Sequence, residues 1–291
     1  MTKQEFKELA ERKIILLDGA TGSNLRRAGM PAGVCTEQWA LEHPEIITKL
    51  QRAYVEAGSD IIYAPTFSAN RLSLAMHGLQ DQVTEMNTKL VALAKQAAGG
   101  RAYVAGDMST TGKLLEPRGE LTYHELYDAY REQIQVLVDC GVDLIGGETL
   151  LDVEEAVVLL DAAQSVCDLP VMCSLTVEAD GSALFGGSAV EAVETLQELG
   201  ASAVGLNCSV GPDQLEAVVA SMKAVAKIPV IAKPNAGLPV MDEQGQAHYN
   251  MGPEAFVKAM QVLIERGAGV VGGCCGTTPE YIRLLAQAIR K

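Results

Sequence analysis

The sequence predicts an α/β fold, a single (β/α)8 barrel of the TIM type with its active site at the C-terminal rim of the strands. Three observations predict it. Eight short apolar runs alternate with amphipathic segments along the chain, the pattern of repeated βα units that builds a parallel sheet. Four of the intervening segments stop at a glycine (Gly58, Gly141, Gly200, Gly267) shortly before the next run, as helices do when they close in a left-handed turn. The length of 291 residues suits one barrel, for which ~250 is typical, so residues 1–291 are read as one domain.

The first four runs are Ile14–Asp18, Ile61–Ala64, Tyr103–Asp107 and Leu144–Gly147. The second four are Val171–Thr176, Ala203–Asn207, Val230–Lys233 and Val270–Gly272. Pro170 and Pro229 stand just before a run, where a strand needs no ladder donor. Between runs, Leu126, Tyr130, Ile134, Leu137 and Val138 mark one helix face, and Thr122 with Glu125 forms a capping box at its start. Helix-to-strand joints are short. Strand-to-helix joints are often long, as at Gly19–His43, Pro65–Gln82, Met108–Thr122 and Pro234–Gly252, and such loops carry function and share one rim of a barrel.

Composition narrows the function. A net charge of -14 argues against a nucleic-acid partner, whose phosphates need clustered Lys and Arg. Met1–Lys13 mixes charged and apolar residues, unlike a secretory signal, and no apolar run reaches the ~18 residues of a membrane span. Seven cysteines, without the spacing of a small disulfide scaffold, point to a reducing cytoplasm.

Chemistry-bearing residues stand at the strand ends: Asp18, Asp107, Glu148, Asn207-Cys208, Lys233-Pro234-Asn235 and Cys274-Cys275. The adjacent cysteines lie between Gly272-Gly273 and Gly276, where glycine can swing the chain so that both sulfurs enter one pocket. Thr278 and Pro279 suit the N-cap and first turn of a helix. Strands six and eight flank strand seven, so Cys208 can join the pair. Three soft sulfurs favour zinc, and three protein ligands with one open position mark a catalytic site. Other readings stay open: a phosphate in the Gly-rich turn, a metal-free cysteine nucleophile, and caps or ion pairs for Asp18 and Asp107. Cys140, Cys167 and Cys173 are read as small core residues, and His43, His77, His124 and His248 as surface positions.

The motifs Asp18-Gly19-Ala20-Thr21-Gly22, Gly147-Glu148-Thr149, Gly205 to Pro212 with Asn207-Cys208-Ser209, Pro234-Asn235-Ala236-Gly237 and Gly272 to Pro279 resemble the homocysteine S-methyltransferase family. The likeness runs from about residue 14 to the C-terminus and is nearest to the homocysteine-binding module of cobalamin-dependent methionine synthase. It implies Zn²⁺ on Cys208, Cys274 and Cys275, and Asp18 and Glu148 at the amino-acid end of homocysteine. An ordinary thiol is only ~3% ionised at pH 7, and zinc removes its proton. Homocysteine would then serve as both ligand and nucleophile. Its carboxylate suits backbone N–H groups of Gly19, Ala20, Thr21 and Gly22, and Asn235 is expected as a displaceable fourth ligand.

The methyl donor expected is methylcobalamin on a separate corrinoid partner or on cobalamin and folate modules of a longer chain. Gly276 resembles the methionine synthase type, whereas S-methylmethionine users often carry Arg there and betaine users a longer C-terminal extension than one ending at Lys291. S-methylmethionine or S-adenosylmethionine is the alternative donor, and a thiol- or zinc-binding module without turnover the alternative function. Two departures from the family, at Met108–Gly112 and at Gly147, fall in loops expected to line the pocket.

Overall fold

The computed structural model describes residues 1–208, 210–241 and 247–290. Ser209, residues 242–246 of the long seventh loop, and Lys291 lie outside the described residues. Eight parallel strands form one sheet: Ile15–Leu16, Ile61–Tyr63, Tyr103–Met108, Leu144–Leu150, Val171–Leu175, Ala203–Cys208, Val230–Pro234 and Ala268–Val271. Consecutive strands pair from the second to the eighth, and the eighth pairs with the first. The barrel and its eight expected runs are thus present.

Between the first two strands, closure depends on side chains. The Asp60 carboxylate accepts the Leu16 N–H at 2.9 Å, Leu16 O accepts the Asp60 N–H at 2.7 Å, and the Asp18 carboxylate accepts the Tyr63 N–H at 2.9 Å. Carboxylates here take the place of ladder carbonyls, which explains why the first strand is shorter than its apolar run.

The helices follow the sequence signals. Residues Tyr123–Asp139 form a helix whose capping box is made by Thr122 and Glu125, with Leu126, Tyr130, Ile134 and Leu137 buried. Gly58, Gly141, Gly200 and Gly267 all have φ between +71° and +112°, a region costly for residues with a Cβ. Pro279–Ile289 begins at Thr278 as expected, although the Thr278 side chain makes no cap hydrogen bond. Cys173 is a core residue, but Cys140 and Cys167 are half-buried. That corrects the core reading for these two, which sit at helix ends where the backbone leaves the core. Of the histidines, His43 is half-buried and stacked on Trp39, with ring centroids 4.1 Å apart.

Inside the barrel the alternation of strand side chains separates two regions. Ala105, Leu144, Met172, Ala203 and Ile231 form a lower apolar layer, closed beneath by Phe6 and Leu9 of helix Lys3–Arg12. Two residues further along the same strands, the inward positions become Asp107, Gly146, Ser174, Gly205 and Lys233. Gly146 leaves room for the Tyr63 ring, 2.3 Å from where its Cβ would lie. Above that polar layer stand the long loops. Among the described residues no helix is long and apolar enough to cross a membrane.

Candidate active site

The loop after the eighth strand is pinned on several sides. The Gly273 N–H donates to Asp18 O at 3.0 Å and the Cys274 N–H to Pro234 O at 2.7 Å, while Cys275 O accepts the Ala236 N–H at 2.9 Å. Thr277 Oγ1 donates to Cys274 O at 2.7 Å and accepts the Ala20 N–H at 3.1 Å. The first, seventh and eighth strand ends are therefore tied into one unit. From the sixth strand, Cys208 joins in a left-handed conformation with φ +63°, a geometry that costs a non-glycine residue roughly 1–3 kcal/mol.

The result is a cluster in which the Sγ atoms of Cys208, Cys274 and Cys275 lie within 4.8 Å of one another. Tetrahedral zinc with ~2.3 Å bonds separates its sulfurs by ~3.8 Å, so these three fit one ion with a small contraction. Hydrogen bonds from Cys208 and Cys274 hold the Cys275 thiol down at about 3, whereas bonding to Cys274 and Cys275 holds Cys208 far above the ordinary range.

The cysteines wall a cavity of about 300 Å³ shared with Asp18, Asp107, Glu148 and Lys233. That volume lies at the low end of small-molecule sites, ~300–1,000 Å³. Lys233, 3% exposed, donates to Glu148 Oε2 at 2.9 Å and lies 5.0 Å from the centroid of the Tyr63 ring. Burial works to lower Lys233, but Glu148 and the other acids outweigh it and keep the amine charged. Asp18 spends Oδ2 on Tyr63, and Oδ1 has no hydrogen-bond partner among the described residues. Burial, ahead of the opposing Lys233 charge, pushes the Asp18 carboxyl up to about 7.

Of the residues singled out from sequence, Asp18, Gly19, Ala20, Thr21, Gly22, Glu148 and the three cysteines all line this cavity. Asn235 is buried, its N–H donated to Val210 O at 3.1 Å, but is not part of the wall. The two departures from the family pattern do not reach the cavity: Gly147 faces Leu159 of the helix behind it, and Met108 packs in the outer core. Their expected effect on the pocket is therefore corrected.

Asp107, Lys233 and Asn207 were named at strand ends without a role, and Tyr249 was not named at all. Lys233 and Asp107 carried a usable signal, because each follows an inward apolar residue by two positions. Asn207 was overshadowed by its neighbour Cys208; it is fully buried, donates to Cys274 Sγ at 3.8 Å and exchanges hydrogen bonds with Thr149 of the fourth strand. Tyr249 comes from a hairpin, Pro239–Met241 with Ala247–Tyr249, and hydrogen-bonds Cys275. No periodicity reveals a residue of that kind.

The homocysteine S-methyltransferase family profile matches residues 15–289. The methionine synthases of Mycobacterium leprae and Mycobacterium tuberculosis are each 32% identical, over 98% and 97% of this chain. In both cases the match covers 25% of the relative, so the chain spans about a quarter of the length of these curated relatives. The metallated form of the homocysteine methyltransferase MmuM from Escherichia coli superposes with a TM-score of 0.79 at 21% identity, over 97% of this chain and 98% of that one. Its oxidised form gives 0.81 at 22% identity over the same shares.

Proposed function

The chain belongs to the homocysteine S-methyltransferase family, and on that premise we propose that it methylates the sulfur of homocysteine to give methionine. Cys208, Cys274 and Cys275 would hold zinc. The observation that carries this reading is the convergence of three sulfurs within 4.8 Å on a cavity that also contains carboxylates and a lysine. When bound, zinc supplies the acidity that takes the proton from an incoming thiol. All else is done by the chain.

Asp18 Oδ1 and Glu148 Oε1, the oxygens not used by Tyr63 and Lys233, receive the substrate ammonium. The N–H groups of Thr21 and Gly22, which have no acceptor among the described residues, receive its carboxylate. Ala20 cannot help there, since its N–H is donated to Thr277. Asn207 fixes the Cys274 sulfur, and Asn235 serves as the ligand displaced by substrate.

For the donor, methylcobalamin on a corrinoid partner or module is the reading favoured by Gly276. Its φ is +84°, and a Cβ there would meet the Tyr249 ring at 2.3 Å, so the Arg of S-methylmethionine users has no room. A second reading, a homocysteine-binding module without turnover of its own, is supported by the quarter share of its relatives' length. All seven cysteines are free thiols, which suits a reducing cytoplasm.

Metal analysis of the protein and of Cys208→Ala, followed by methionine assays with methylcobalamin and S-methylmethionine, tests the proposal. About one zinc per chain is expected, lost in the variant because two cysteines leave the set incomplete, with methionine formed from methylcobalamin. Full zinc in Cys208→Ala would overturn the metal assignment. Zinc without methionine from either donor would favour the module.

A further inference from the structure

Six acids are buried among the described residues: Asp18, Glu37, Asp107, Glu148, Asp152 and Glu155. The carboxylates of five have hydrogen-bond donors. Asp18 accepts from Tyr63, Glu37 from Ser68, Glu148 from Lys233, Asp152 from Arg118, and Glu155 from Leu151. Asp107 alone makes no side-chain hydrogen bond, although it is 5% exposed and Oδ1 is fully enclosed. An isolated buried carboxylate is costly, so the fold does not keep one without a use.

The main chain of Asp107 is secured independently of its side chain. Thr66 Oγ1 accepts its N–H at 3.1 Å and donates to its carbonyl at 2.8 Å. The residue is held by its backbone while its carboxylate faces the cavity walled by Asp18, Glu148 and Cys274. Each of those groups lies near enough to act on its charge.

An alkylammonium has three N–H donors. Tyr63 and Lys233 leave one wholly unused oxygen on Asp18 and one on Glu148, two free oxygens for three donors. We infer that Asp107 is the third acceptor, completing a carboxylate tripod that restricts the acceptor to short thiols bearing a free primary ammonium. This rests on the homocysteine reading above and deepens it. Charge agrees: burial holds the Asp18 and Asp107 carboxyls above the usual carboxylate range, and an ammonium set among the three acids favours their ionised forms. A deaminated thiol would leave the tripod unpaired, the situation in which buried polar sites discriminate most strongly.

Calorimetric titration of the zinc-loaded protein with L-homocysteine and with 4-mercaptobutanoate, the same thiol without its amino group, tests this. The wild type should prefer homocysteine by on the order of 100-fold or more. Asp107→Asn should weaken homocysteine by roughly 10- to 100-fold, the effect of losing a charged hydrogen bond, and leave 4-mercaptobutanoate within about twofold by the same argument. Unchanged zinc content and thermal midpoint verify the variant; should it not fold, Asp107→Ser replaces it. Equal changes for both thiols, or none for either, would overturn the tripod. Binding of neither thiol to the wild type would instead overturn the homocysteine reading.

Discussion

The two ends of the barrel interior are built from the same strands and the same alternation, yet they obey opposite rules. At the floor, Ala105, Leu144, Met172 and Ile231 pack against Phe6, and nothing polar is left to satisfy. Further up the same strands, Asp107, Glu148 and Lys233 are also buried, and oxygens of Asp18 and Asp107 have no hydrogen-bond partner among the described residues. Burial alone therefore does not distinguish core from site. What marks the site is that the unsatisfied oxygens there belong to carboxylates lining one cavity, whereas the buried unpaired oxygens of Gln51, Ser109 and Gln133 lie outside it.

The sharpest way to test that contrast is Lys233→Met. Removing the amine leaves Glu148 as an uncompensated buried charge, a loss of ~3–5 kcal/mol. Denaturant unfolding should show most of it returning in the double variant Lys233→Met with Glu148→Gln, which removes both charges. A single variant as stable as the wild type would show that Lys233 and Glu148 are not a buried ion pair. At the floor the expectation is different. Phe6→Ala should cost roughly 3 kcal/mol by loss of packing, with no polar partner able to restore it. Metal content and homocysteine affinity of the folded fraction should stay unchanged, and a large change in either would show that floor and rim are coupled.

The same contrast explains what could be read in advance. The floor was legible because apolar residues repeat at strand and helix periods, and because Gly58 and Gly141 stop helices for a steric reason any sequence displays. The cysteines were legible because adjacent thiols among glycines are rare and strand order brings Cys208 alongside. For the rim polar residues the position was legible but the role was not, since Asp107 and Lys233 are ordinary residue types whose meaning depends on facing inward. Only the inward register, fixed by Ala105 and Ile231, shows that they do. Tyr249 reaches the site from the hairpin and Glu37 lines the cavity from the short helix Thr36–Glu42, both within long strand-to-helix connections whose path depends on tertiary contacts and not on local pattern.

Smallest in size, but most direct on the nature of the rim, is the pH dependence of stability. Asp18 has its carboxyl raised from 3.8 to about 7, chiefly by burial, so between those values the folded protein retains a proton that the unfolded chain releases. Stability is then greatest on the acid side and is lost as pH rises through about 7, by ~2–3 kcal/mol between pH 5 and 8 from this group alone. Asp18→Asn, which keeps an oxygen to accept the Tyr63 N–H without ionising, should flatten that part of the profile. Saturating homocysteine should flatten it as well, because an ammonium beside Oδ1 favours the charged carboxylate and offsets its burial. Phe6→Ala should shift the whole curve down by a constant amount and leave its slope alone. A wild-type profile that rises from pH 5 to 8, or one that Asp18→Asn leaves unaltered, would mean that Asp18 is already compensated within the protein and does not await a cation.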